Sequence, residues 1–129
     1  MRFLSAEDIL VLHALVIDAT GGSHGVREKG LLSSLAAKPT MRFGGKELYP
    51  NLFSKAAILV EAIANYHVFV DGNKRTALVA VGRFLFLNGY ELSASQIEAE
   101  ETILAIATKN KDVAELEKWL KNNSRKISR

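Results

Sequence analysis

Apolar residues recur along this chain at three- and four-residue intervals, the spacing that lines one face of an α-helix. Ile9, Leu12, Val16 and Ala19 keep it after Ser5-Ala6-Glu7-Asp8, which reads as a cap with Asp8 in place of the usual glutamate. Gly21-Gly22 stops that helix. A shorter helix fits residues 28–37, with Leu31, Leu32 and Leu35 inward and Pro39 just beyond its end. Asn51 is the expected cap of a third helix, running from Leu52 to about Tyr66. Ala56, Ala57, Ile58, Leu59, Val60, Ala62, Ile63 and Ala64 make it apolar nearly all round, so it belongs in the interior. The next helix is equally apolar through Leu78, Val79, Val81, Phe84, Leu85, Phe86 and Leu87; its expected cap is Asn73 and its stop is Gly89. Ser95-Gln96-Ile97-Glu98 fits a full capping box, opening a helix to about Thr108. Asp112 caps a last helix, with Val113, Leu116, Trp119 and Leu120 on one face.

Residues 41–50 break the helical pattern. Gly44-Gly45 lies between Arg42-Phe43 and Lys46-Glu47-Leu48-Tyr49, which reads as a two-residue hairpin turn or flap, with an irregular surface loop as the alternative. The expected class is therefore all-α: a compact bundle of about six helices around a central buried helix pair, with a small β-hairpin or flap near residues 41–49.

A length of 129 residues suits one domain with a real core, so residues 1–129 are read as a single unit. A hydrophobic share of 48% excludes a disordered chain. The absence of cysteine excludes disulfides and thiolate metal sites and fits a reducing, cytoplasmic setting. The N-terminus turns acidic at Glu7 and Asp8, too soon for a secretory signal. Glu61 and Arg83 interrupt the two most apolar runs, so neither run spans a bilayer and no membrane partner is expected. A lone buried charge is costly, so these two are expected to pair with each other or with site residues. The formal net charge of +3 is concentrated in Lys121, Arg125, Lys126 and Arg129. Residues 122–129 read as a flexible basic tail. A direct nucleic-acid partner is not expected, because such a binder usually carries a basic face across its folded body.

The chemistry concentrates in His67-Val68-Phe69-Val70-Asp71-Gly72-Asn73-Lys74-Arg75, between the two buried helices. Phe69 is the apolar anchor that fixes the loop against the core. Gly72 permits a positive φ or close approach of a ligand. The backbone N–H groups that open the following helix lack intrahelical acceptors, and with the helix dipole they form an anion site, to which Lys74 and Arg75 add charge. Phosphate is the candidate anion. Asp71 beside it suits Mg²⁺, which takes one or two carboxylates and completes its shell with phosphate oxygens and water. A neutral His67 can accept the proton of an incoming hydroxyl. Each residue alone has a plain structural reading: a histidine satisfying helix carbonyls, caps at Asp71 and Asn73, solvated charges at Lys74 and Arg75. Their ordered convergence points to phosphoryl or nucleotidyl transfer. The Walker-A pattern is absent. His13 and His24 have no convergent partners nearby and read as ordinary residues.

This loop resembles the signature of the Fic/Doc family, histidine-x-phenylalanine-x-acidic-glycine/alanine-asparagine-glycine/lysine-arginine, with His67, Phe69, Asp71, Gly72, Asn73 and Arg75 on matching positions. Gly25-Val26-Arg27 with Gly30-Leu31-Leu32-Ser33-Ser34-Leu35, and Pro50-Asn51-Leu52-Phe53-Ser54-Lys55-Ala56-Ala57, resemble the family's approach to its second helix and its central-helix entry. The likeness covers roughly Phe3 to Tyr90. Members that transfer AMP typically have glycine where this chain has Lys74, and a second arginine where it has Leu78. Both departures resemble the death-on-curing (Doc) toxins, which implies phosphate transfer from ATP to a hydroxyl of a translation factor such as elongation factor Tu. The resemblance implies ATP and Mg²⁺ as cofactors, with His67 the base, Asp71 the Mg²⁺ ligand and Gly72, Asn73, Lys74 and Arg75 around the phosphates. It implies target docking by a flap at Arg42, Phe43, Gly44, Gly45 and Lys46. No serine or threonine is followed four residues later by the glutamate of the self-inhibiting members, which implies a separate antitoxin with a flexible segment. Two alternatives stand beside this reading: transfer of AMP or another nucleotidyl group, and a degenerate Fic-like binding module.

Overall fold

The structure is a computed structural model describing residues 1–128. Among these residues there are six α-helices: α1 (Ala6–Thr20), α2 (Lys29–Ala37), α3 (Leu52–Asn65), α4 (Asn73–Leu87), α5 (Gln96–Ala107) and α6 (Val113–Asn122). Two small antiparallel sheets complete the fold: β1 (Arg42–Phe43) with β2 (Lys46–Glu47), and β3 (Tyr90–Leu92) with β4 (Ser124–Lys126). The all-α class and the hairpin match the sequence reading. Gly44 and Gly45 take φ of 59° and 80°, the two successive positive values that a two-residue hairpin turn of this hand requires.

The caps explain the boundaries. Ser5 with Asp8, Asn51 with Ser54 and Asp112 with Glu115 each form a reciprocal capping box. Ser95 caps α5 by accepting from the Glu98 N–H, but only that half of the expected box is made. The central pair is α3 and α4. α3 buries ten residues and α4 six, and α6, α1 and α5 pack around them. Leu59, Val60, Ile63, Phe84 and Leu85 form the middle of the core, with Trp119 half-buried at its edge. Glu61 and Arg83 do not form an ion pair; the Arg83 guanidinium lies 5.8 Å from the centre of the Phe86 ring instead.

The basic C-terminal stretch corrects an expectation. Ser124–Lys126 forms β4, pairing Ser124 with Leu92, Arg125 with Glu91 and Lys126 with Tyr90. Arg125 Nε donates to Glu91 Oε1 at 2.7 Å. Backbone pairing and an opposite charge hold this part of the expected flexible tail; Arg129 lies outside the described residues.

Lys55 is the unexpected polar member of the interior. It sits in α3 with 3% of its surface exposed. Its Nζ donates to the Pro39 carbonyl at 3.1 Å, to Glu47 Oε1 at 2.9 Å and to the Tyr49 carbonyl. An ammonium has three protons, and here each meets an acceptor. This bolts the segments before and after the hairpin's turn, at Pro39 and at Glu47–Tyr49, to α3 and holds the Glu47 carboxyl below its ordinary range. Lys55→Met is expected to lower stability by about 1–3 kcal/mol, because it leaves carbonyls without their donor. Denaturant titration measures the loss, and faster amide exchange over residues 39–49 locates it.

Candidate active site

α3 ends at Asn65, and Tyr66 closes it. His67 follows in the left-handed region, φ 52°, which turns the chain out of the helix. Residues 68–70 then run antiparallel to residues 25–27. Arg27 N–H donates to the Val68 carbonyl at 2.7 Å, Val70 N–H donates to the Gly25 carbonyl at 3.0 Å, and Val26 bridges to Phe69. Val68 and Phe69 are fully buried. The Phe69 ring lies flat on the His13 ring, centres 3.8 Å apart and planes 3° from parallel.

Gly72, at φ 78°, is the N-cap of α4. Its backbone calls for glycine, and a Cβ there would come within 2.9 Å of the Ile17 Cδ1 methyl and have to push it aside. Asn73 is therefore not the cap that its residue type suggested. It is the first helical residue, and its amide reaches back over the loop: Oδ1 accepts from Phe69 N–H at 3.1 Å and Nδ2 donates to the Phe69 carbonyl at 3.0 Å. With both ends of the amide engaged, Asn73 clamps the loop.

Asp71 stands at the start of α4. Its Oδ1 accepts from Gly72 N–H at 2.8 Å and faces Arg75 Nη2 at 3.4 Å, while Oδ2 accepts from Ser23 N–H at 3.2 Å. The Ser23 amide, then the Gly72 amide, hold the Asp71 carboxyl below its ordinary value against the opposing effect of desolvation, and the Arg75 guanidinium adds a smaller push in the same direction. Asp71 is therefore anionic at neutral pH. Arg75 also donates from Nη1 to the Gly21 carbonyl at 2.9 Å and to Thr20 Oγ1, which ties the first turn of α4 to the end of α1.

His67 is exposed, and no hydrogen bond engages its ring among the described residues, so it does not satisfy the carbonyls of α3. It borders an open hollow of about 570 Å³ with Arg27, Glu28, Leu31 and Tyr66. Lys74 and Arg75 border a different space, a groove of about 470 Å³ walled by Val16, Leu78, Ile103 and Leu104. The structure thus gathers Asp71, Gly72 and Arg75 into one bonded cluster and leaves the His67 ring exposed, with no hydrogen bond to that cluster among the described residues. The hairpin carrying Arg42, Phe43, Gly44, Gly45 and Lys46 is exposed, Phe43 to 79%. Arg42 Nη2 closes its turn onto the Gly45 carbonyl at 2.5 Å. The short 3₁₀ turn Lys38–Thr40, just before the hairpin, reaches the neighbour of His67: the Lys38 ammonium lies 4.9 Å from the centre of the Tyr66 ring.

The residues fit a magnesium ion with nucleotide better than a caged metal. No group of three His, Cys, Asp or Glu side chains converges among the described residues. The Asp71 carboxylate is ionised and its side chain is 46% exposed. A hard cation that keeps its waters and borrows phosphate oxygens suits such a ligand.

Gly22 is a site residue that sequence reasoning missed. A Cβ on it would lie 2.5 Å from Asp71 Oδ2 and 3.3 Å from Arg75 Nη2. Its φ of 112° is also one that side-chain-bearing residues rarely adopt. Gly22→Ala is expected to displace the Asp71 carboxylate and to destabilise the chain by about 1–3 kcal/mol. Thermal unfolding reads the second effect, and the Mg²⁺ dependence of nucleotide binding reads the first.

The model of the Fic/DOC family matches residues 3–85, the whole stretch from α1 through the loop into α4. The chain belongs to the Fic/DOC family. It is 39% identical over 114 residues, 87% of its length and 85% of the relative's, to a protein named Toxin Doc from Mycolicibacterium smegmatis. It is 33% identical over 103 residues, 80% of its length and 81% of the relative's, to the Protein kinase doc of Escherichia phage P1. As a Fic/DOC chain it is a Doc-type toxin relative. Among the described residues no helix is long and apolar enough to cross a membrane.

Proposed function

We propose that this chain is an ATP-dependent protein kinase of the Doc type, which transfers the γ-phosphate of ATP to a hydroxyl of a translation factor such as elongation factor Tu. The observation that carries the reading is the start of α4, where an ionised Asp71, the Arg75 guanidinium and an exposed Lys74 stand beside N–H groups without intrahelical acceptors. Lys74 supports phosphate over AMP. A glycine there would let a diphosphate lie against the helix; a lysine crowds that space and brings its own charge, favouring a pose that presents the terminal phosphate. The name of the phage relative agrees with this choice.

In this reading a ring nitrogen of His67 takes the proton of the target hydroxyl. The hydroxyl oxygen bonds to the γ-phosphorus, the bond from that phosphorus to the bridging oxygen breaks, and ADP leaves with the electron pair. Asp71 would hold Mg²⁺, which when bound neutralises phosphate charge and orients the transferring group. Asn73, Lys74 and Arg75 steady the phosphates, with Gly72 allowing their approach, and Asn73 also holds the loop. The target segment docks along the exposed hairpin, with strand-like pairing at its edge. The apolar groove between α1, α4 and α5 suits an amphipathic segment of a separate antitoxin, and Lys74 and Arg75 at its border would then be covered.

Mass spectrometry of a host's translation factors after expression of this chain tests the proposal. A mass gain of one phosphate is expected. A gain of AMP assigns nucleotidyl transfer instead, and no gain assigns a binding module.

A further inference from the structure

His13 is 2% exposed, in the middle of α1, and 58 residues from the loop it touches. Its Nε2 lies 2.7 Å from the Asp71 carbonyl oxygen. A carbonyl only accepts, so Nε2 carries the proton and donates. The ring is held flat against Phe69, and the His24 ring meets its edge at 6.4 Å.

The consequence follows from peptide geometry. The bond between Asp71 and Gly72 is trans, so its C=O and N–H point in opposite directions. Holding the carbonyl toward α1 turns the Gly72 N–H the other way, and that N–H is the donor to Asp71 Oδ1. One hydrogen bond from the core therefore aims the donor that fixes the carboxylate. Gly72 itself offers little resistance to a flip of this peptide, because glycine populates both signs of φ readily.

We infer that His13 is a positioning residue: it locks the peptide between Asp71 and Gly72, and through the Gly72 N–H it sets the Asp71 carboxylate for Mg²⁺. The inference rests on the reading of Asp71 as the magnesium ligand. Outer partners of a metal ligand typically change metal affinity or activity by roughly 10–100-fold when removed.

Two variants separate the hydrogen bond from the packing. His13→Phe keeps a ring on Phe69 and loses the donor; His13→Gln keeps a donor at nearly the same reach and loses the ring. Thermal unfolding establishes that each is folded. The readouts are amide exchange at Gly72 in the metal-free chain, and binding of a non-hydrolysable ATP analogue over a Mg²⁺ series by calorimetry. In His13→Phe, Gly72 exchange is expected to rise about 10-fold and the Mg²⁺ needed for half-saturation to rise about 10-fold, while His13→Gln stays near the parent in both. An unchanged Mg²⁺ requirement in His13→Phe overturns the inference, as does a Gln variant as impaired as the Phe variant. Analogue binding by the parent that ignores Mg²⁺ would overturn the role of Asp71 itself, a failure of the underlying reading that the calorimetry distinguishes from a failure of the clamp.

Discussion

Replacing His67 by glycine is expected to abolish transfer while leaving stability almost unchanged. Losing a general base lowers the rate by roughly 10²–10⁴-fold. Two backbone effects of similar size oppose each other in the fold. His67 holds φ 52°, a left-handed value costing about 1–2 kcal/mol for a residue with a Cβ, which glycine relieves. Glycine loses about 0.5–1 kcal/mol more than alanine in conformational freedom on folding. The net change is therefore about 1 kcal/mol or less. The exposed ring makes no hydrogen bond among the described residues whose loss would add to it. Transfer rate and thermal midpoint, measured on the same variant, check both halves.

Phe69→Ala is expected to be the most destabilising single change in the loop, by about 3–5 kcal/mol, because it empties a fully buried ring position. A domain of this size typically has about 5–15 kcal/mol in hand, so the variant should still fold at low temperature with a much lower midpoint. Its activity should fall even where it is folded. The Phe69 backbone is the surface that Asn73 clamps, and its ring is the surface on which His13 lies. Losing the ring removes the His13 stacking directly, and with the anchor gone the Phe69 backbone that Asn73 holds is less firmly placed. Denaturant titration gives the stability, and assay well below the midpoint separates the second effect from simple unfolding.

The helices were legible in the sequence because their information is local. Periodic apolar residues, the Ser5, Asn51 and Asp112 boxes and the Gly44-Gly45 turn lie within a few residues of what they determine. What sequence misjudged depends on contacts between distant segments. The basic tail looked solvated because β3, its partner, is 34 residues away. His13 looked ordinary because both groups it engages lie across the fold. Lys55 gave no sign of burial, since its three acceptors become neighbours only when the hairpin folds onto α3. Asn73 was misread for another reason. Asparagine before an apolar helix usually caps it, but the left-handed turn at Gly72 moves the cap back one residue and frees the amide to reach Phe69. Gly22 read as a helix stop, and only the proximity of Asp71 gives it a place in the site.

The account stands most directly on where a label goes. Purified chain, ATP labelled either in its γ- or in its α-phosphate, and a mixture of translation factors should yield protein labelled from the γ-position alone, with none in the His67→Gly variant. Protein labelled from the α-position, or γ-label that persists without His67, would contradict it.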